Sequence, residues 1–382
     1  MRHPVEGDSF FVAIVPFNGL KIWKKSLNLE KTQTLTQGGM AMKILIIGGT
    51  GTISSAITRQ LAAEGHDLWL LNRGNRSAEL PENVKLITGD INERPEEVMD
   101  KLGDETFDSV CEFIGFLPEQ VARDIKMFAG RTKQYVFISS ASAYNKPARQ
   151  HIITEGTSLA NPYWEYSRNK IACEALLMQA YRENGFPVTI IRPSHTYCER
   201  DVPTGVHGNK GGWQVLKRMM EGKPVIVHGD GSSLWTMTWN EDFAKGFIGL
   251  LGSPQAIGEV FQIMSDESLT WNQIYQCIAD ILGVEYKPYY VSSDYLAAIA
   301  PASYDLRGSL LGDKASTVIF DCSKLKRVVP GFRAETRLEQ GFCKAISYIM
   351  EHPELQREDP EFDTWCDRVI ETLENAKSTF IK

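Results

Sequence analysis

The chain has 382 residues, 43% of them hydrophobic and 23% charged, with a formal net charge of −7. That balance excludes a mostly disordered chain, the length suits two unequal lobes, and the negative charge argues against nucleic-acid binding by bulk phosphate neutralisation. No apolar run approaches the roughly 18–20 residues that span a bilayer, and seven cysteines without a Cys-x-x-Cys pair read as free thiols of a reducing cytoplasm, with no zinc site and no disulfide frame.

Residues 1–41 carry one apolar run, Phe10 to Phe17, preceded by Glu6 and Asp8. No small-residue cleavage pattern follows it, which argues against a signal peptide. Gln37-Gly38-Gly39 can be encoded by a purine run resembling a bacterial ribosome-binding site, with Met42 shortly after it. Residues 1–41 therefore read as translated upstream sequence or a disordered extension. From Met42 the chain alternates strand and helix. Lys43 to Ile47 is a continuous apolar run, as expected of a strand buried on both faces. Ile53, Ile57 and Leu61 recur on one face of a helix that Gly65 closes. Further strands are expected at 68–71, 84–88, 109–113, 135–139 and 188–192, with a helix over 163–184. This alternation predicts an α/β, doubly wound parallel sheet. Residues 42–192 form that domain, and residues 193–382 a smaller, mostly helical lobe with some strands returning to the main sheet. In the lobe, residues 198–212 are expected to be a mobile loop and Val225 to His228 a strand. Phe362, Trp365, Val369 and Leu373 near helical spacing predict a docked C-terminal helix.

Gly48-Gly49-Thr50-Gly51-Thr52-Ile53 joins the first strand to the first helix. Glycines there allow a tight turn and close backbone approach to a pyrophosphate, and the helix N-terminus offers free N–H groups. The third small position is Ser54, which predicts slightly looser helix packing. The second strand ends in Asn72-Arg73-Gly74. A carboxylate at that place accepts from the ribose hydroxyls of NAD; here Arg73 is positioned for a 2′-phosphate instead. The expected cofactor is NADP or NAD, with NADP favoured. Asp90 and Ile91, after the third strand, are placed to meet the adenine.

Tyr166 and Lys170 stand four residues apart, hence on one helix face. A nearby ammonium lowers a phenol pKa of about 10 by about 1–3, toward acid–base work near neutrality. Ser139-Ser140-Ala141-Ser142-Ala143-Tyr144 ends the fifth strand, where a serine can hydrogen-bond the same substrate oxygen.

At these residues, from about Met42 to Ile349, the chain resembles the extended short-chain dehydrogenase/reductases, the NAD-dependent epimerase/dehydratase group with a Rossmann-type sheet. The resemblance implies that Tyr166 is the acid/base, that Lys170 holds the nicotinamide ribose, and that Ser140 orients the reacting oxygen. Arg192-Pro193-Ser194-His195 matches the strand end beside the nicotinamide, which implicates Pro193; relatives have asparagine where this chain has His195. It also implies a homodimer paired through the Tyr-x-x-x-Lys helix. Two arginines that grip nucleotide-sugar pyrophosphates are replaced, one by Trp235 and one by Leu310-Leu311, and the dehydratase Asp-Glu pair by Ala141-Ser142. Ser142, His195 and Trp235 are the candidate substrate contacts. The expectation is hydride transfer at a secondary alcohol or ketone of a sugar-like small molecule. An epimerase using transient oxidation and a non-catalytic cofactor-sensing or RNA-associated relative are the alternatives.

Overall fold

The computed structural model describes residues 41–74 and 80–381. The expectations for residues 1–40 lie outside the described residues. Seven strands form the main sheet: β1 (Lys43–Ile47), β2 (Asp67–Asn72), β3 (Val84–Thr88), β4 (Ser109–Glu112), β5 (Tyr135–Ile138), β6 (Val188–Pro193) and β7 (Glu259–Ile263). Their spatial order is β3-β2-β1-β4-β5-β6-β7, and every pairing is parallel. The direction of winding reverses between β1 and β4, where a crevice opens at the strands' carboxyl ends.

Successive side chains of a strand face opposite ways, and β1 shows the consequence. Ile44 and Ile46 meet Ile57 and Leu61 of α1 (Ser54–Ala63) together with a later helix, Asn240–Leu250, through Phe243 and Phe247. Leu45 and Ile47 face the other layer. There α2 (Pro95–Leu102), α3 (Pro118–Phe128) and α4 (Glu165–Asn184) bury Val98, Val121, Phe128, Cys173 and Leu177. The six expected strands are present. The sequence pattern did not single out β7, because Glu259 and Gln262 interrupt its apolar run; Gln262 is nevertheless fully buried, its amide donating to the Ile153 and Asp321 carbonyls.

The lobe has its own core, built by helices Trp213–Met220, Trp271–Leu282, Leu338–Glu351 and Pro360–Ser378. Phe362, Trp365 and Val369 of the last helix are buried and Leu373 packs beside them, as the spacing predicted. Val225–His228 is a strand, but it pairs with Pro288–Val291 away from the main sheet. Residues 198–212, expected as a mobile loop, are packed: Val202, Thr204 and Val206 are buried. The Gly205 and Val206 N–H groups donate to the Tyr275 hydroxyl, and the Lys314 ammonium donates to the Thr204 and Gly205 carbonyls. An irregular segment is tolerated in a core when its backbone groups find such partners.

Candidate active site

The glycine loop sits at the mouth of the crevice and is held by close contacts. Gly48 has φ +86°, and a Cβ there would lie 2.6 Å from Ile114 Cγ2; one on Gly49 would lie 2.7 Å from Leu70 Cγ. Both positions exclude a side chain, which is the property a pyrophosphate cradle needs. Thr50, Gly51, Thr52 and Ile53 complete the turn, and the Thr52 carbonyl accepts from Asn240 Nδ2 at 3.1 Å. Ser54 ties the loop to the helix: its hydroxyl donates to the Gly48 carbonyl at 2.7 Å and accepts from the Gly51 N–H at 2.9 Å. No side chain caps α1, and first-turn N–H groups are the donors an anion takes.

At the adenosine end the geometry revises the roles. Asn72 Oδ1 accepts from the Gly49 N–H at 3.1 Å, so this side chain braces the glycine loop. The Arg73 side chain is 62% exposed and points to the Asp90 carboxylate, 3.9 Å away. The other Asp90 oxygen accepts from the Asn92 and Glu93 N–H groups. Ile91 is fully buried among Leu45, Ile47, Leu71 and Val98. Its side chain packs in the core.

Tyr166 and Lys170 lie one turn apart on α4. The Lys170 ammonium is buried and donates to the Gly115 and Ile138 carbonyls, each at 2.7 Å. Its charge is 5.8 Å from the Tyr166 ring centre. Ser140 works to hold the phenol's pKa down, but burial outweighs it, Asp313 adds to burial, and Tyr166 is pushed up to about 12. Burial, rather than the lysine expected to make the phenol acidic, dominates at Tyr166. Burial lowers Lys170 itself to about 8. Ser142, expected to touch substrate, is 2% exposed and lies behind Ser140. The Ser167 hydroxyl donates to Ser142 Oγ at 2.7 Å, and Ser142 Oγ is 2.9 Å from Ser140 Oγ. This chain of hydroxyls fixes the Ser140 rotamer. Pro193 ends β6 and is buried opposite Ile263 of β7.

The lobe supplies the remaining wall. Trp235 is 2% exposed and stacked on Trp271, so it is a core tryptophan whose face is not open to substrate. His195 is held neutral, pushed down to about 3 by burial, with help from the Lys314 and His207 charges. Four residues that the sequence reading gave no role join the site. Lys146 Nζ lies 3.7 Å from an Asp313 carboxylate oxygen and 5.9 Å from the Trp235 ring centre. Asp313 is raised to about 6, chiefly by burial. Lys314 is buried, and its charge helps to push His195 and His207 down. Lys146 and Lys314 lie outside any local motif; only tertiary packing brings them to the crevice. Phe116, whose ring centre is 6.3 Å from that of Tyr166, did carry a signal, an aromatic one loop after a core strand.

Comparison with known proteins bears on the family and the fold. A family model described as NAD dependent epimerase/dehydratase matches residues 44–263. The chain is 25% identical over 292 residues to 2′-dehydrokanamycin reductase of Streptomyces kanamyceticus, spanning 76% of this chain and 80% of that one. It is likewise 25% identical over 281 residues to chloroplast stem-loop binding protein of 41 kDa b from Arabidopsis thaliana, spanning 69% and 70%. Among solved structures, UDP-glucuronic acid 4-epimerase from Bacillus cereus, in complex with UDP-glucuronic acid and NAD, superposes with a TM-score of 0.64 at 19% identity. That match covers 81% of this chain and 99% of that one.

Proposed function

From the premise that this chain belongs to the NAD dependent epimerase/dehydratase family, and is thus an enzyme of the NAD(P)-dependent oxidoreductase and epimerase type, we propose that it reduces a ketone of a sugar-like small molecule. The observation that carries this reading is Tyr166 beside Ser140 and one turn from Lys170, at the carboxyl ends of the parallel strands. A nicotinamide cofactor supplies the hydride when bound. The two glycines that admit no Cβ fit its pyrophosphate. Ser140 holds the carbonyl oxygen by a hydrogen bond, Tyr166 donates its proton to that oxygen as charge develops, and Lys170 keeps a positive charge behind the phenol. Run backward, the same groups oxidise a secondary alcohol.

The substrate is an unactivated sugar or similar polyol. The places where relatives carry pyrophosphate-gripping arginines are Trp235 and Leu310, both buried. The relative from Streptomyces kanamyceticus, by its name a reductase, supports this direction. The cofactor is NADP(H) in preference to NAD(H), the protein works as a homodimer, and its compartment is the cytoplasm. Among the described residues no helix is long and apolar enough to cross a membrane.

The test mixes purified protein with NADPH or NADH and a panel of keto-sugars, and follows absorbance at the nicotinamide band. Net cofactor oxidation that falls by about 10²–10⁴ in Tyr166→Phe, with cofactor binding retained, is expected. Interconversion of UDP-glucose and UDP-galactose without net oxidation sinks the reductase reading and selects the epimerase. The Arabidopsis relative's name raises an RNA reading. Stem-loop RNA binding unaffected by Tyr166→Phe, without turnover of any sugar, selects that one.

A further inference from the structure

The Lys170 ammonium is buried, and among the described residues no carboxylate forms an ion pair with it; Glu112 and Glu174 act on it only at longer range. Glu174, one turn on along α4, is already forked by Arg192, whose Nε and Nη2 donate to its two oxygens at 2.9 and 2.5 Å; Ser139 donates to it as well. Glu112 at the end of β4 is fully buried, accepts from the Ile114 N–H, and has one carboxyl oxygen without a partner. Burial, with Asp124 beside it, pushes the Glu112 carboxyl up. Cys173, on the same helix, is a thiol raised by burial. Tyr166 completes the titratable groups facing the ammonium.

Three aromatic rings do face it. Lys170 Nζ lies 4.7 Å from the ring centre of Phe137, 4.8 Å from that of Phe116 and 5.8 Å from that of Tyr166. Each distance is within the roughly 6 Å over which a ring's quadrupole attracts a cation, an attraction that strengthens where water is excluded. Phe137 is a core residue of β5 and would be aromatic or aliphatic for packing alone. Phe116 is different: it is 44% exposed, so its burial gains little. It nonetheless has a fixed place. Its N–H donates to Gln120 Oε1 at 2.7 Å, and Gln120 also takes the Leu117 N–H at the start of α3. The residue before it, Gly115, offers its carbonyl to the same ammonium. A Cβ on Gly115 would lie 3.1 Å from Glu112 Cγ and 3.2 Å from Phe137 Cε2, so a side chain there would press on the box.

We propose that Phe116 is a positioning residue which, with Phe137 and the Tyr166 ring, forms an aromatic box that keeps Lys170 charged while the site is closed to water. Two of the ammonium's three protons go to carbonyls. The rings stabilise the charge without taking the third, which stays free for a cofactor hydroxyl. An acid in the place of Phe116 would supply more attraction, but it would claim that proton and repel the cofactor's phosphates. The inference concerns the charge on Lys170 and does not depend on which sugar is turned over.

The experiment reads that charge directly. Full-length protein is labelled briefly with acetic anhydride between pH 6 and 11, and peptides are quantified by mass spectrometry, which gives each lysine's titration midpoint from its acylation rate. Phe116→Leu keeps an apolar cover but removes the ring; the Lys170 midpoint is expected to fall by about one pH unit. Phe116→Tyr keeps the ring and leaves the midpoint in place. Lys314, buried in the lobe, serves as the internal reference, because a general loosening of the fold moves both lysines. A Lys170 midpoint in Phe116→Leu equal to that of wild type overturns the proposal. So does an equal fall in Phe116→Tyr, or a parallel movement of Lys314. Failure of the wild type to reduce any ketone would sink the reductase reading and leave this measurement intact.

Discussion

At the scale of single residues, the site's chemistry depends on which partners each charge has already taken. Burial, with Asp313 adding to it, outweighs the Ser140 hydrogen bond, so Tyr166 keeps its proton to about pH 12. Ketone reduction needs that proton, and Tyr166 sets no limit in the ordinary range. Lys170 does set one. Its midpoint in the fold is about 8, below the ordinary lysine value because burial disfavours the charged form. As pH rises through 8 the ammonium is lost. We expect kcat/KM for reduction to be level from pH 7 to 7.5 and to fall above 8, about tenfold per pH unit once past the midpoint. A profile still level at pH 10 would mean that the charge on Lys170 is not required. Cofactor choice turns on another partnership. Arg73 is mostly exposed and faces Asp90 at 3.9 Å, so part of its attraction for a 2′-phosphate is offset. Arg73→Ala is expected to weaken NADPH binding about tenfold, or about 1.4 kcal/mol, and to leave NADH unchanged. Fluorescence titration of both cofactors checks it; equal loss for the two would reduce Arg73 to a surface cation.

At the scale of elements, the link between β1 and α1 shows what the sequence made legible. Gly48 and Gly49 were readable as a cradle because a glycine pair after a buried strand has few other uses. Their crowding by Ile114 and Leu70 depends on β4 and β2, which no local pattern reports. Gly49→Ala places a methyl 2.7 Å from Leu70 Cγ. The collision is expected to cost about 1–3 kcal/mol of stability and to weaken NADH binding, as thermal melting and fluorescence titration would show. Unchanged cofactor affinity would remove the loop from the binding site. Ser54 was read as a poorer glycine, yet its hydroxyl bridges Gly48 and Gly51, a role visible only once the turn is folded. The strands β1, β5 and β6 were legible for a simple reason: buried on both faces, they are written as apolar runs. The site's lobe wall was not. Asp313 closes an irregular, π-helical stretch, Arg307–Lys314, and Lys146 lies in a loop. Their meeting is a fact of packing between segments more than 160 residues apart.

At the scale of the whole molecule, α4 is asked to face two ways. Its inward side buries Cys173, Leu177 and Ala180 against the sheet. Its outward side exposes Ala172 and Ala175, with Arg168 and Gln179 a turn away at either end, and leaves Leu176 and Tyr181 partly covered. Small residues on an exposed helix face let a second helix approach closely. A two-fold interface is self-complementary, so a residue on the axis meets its own copy. The helix runs Glu165–Asn184, which puts Ala175 at its centre, and a two-fold axis crossing there would set one Ala175 against the other. We expect light scattering at micromolar concentration to give twice the 42.9 kDa chain mass. Ala175→Arg would bring two like charges together at that axis and is expected to give a folded monomer, because the position is solvent-exposed within one chain. Tyr166 and Lys170 lie on the same helix, about two and a half and about one and a half turns before this centre, so the monomer's NADH affinity tells whether pairing also steadies the site. A wild-type protein of single-chain mass, or a variant that stays dimeric, would place the contact surface elsewhere and leave the small residues of α4 without a partner.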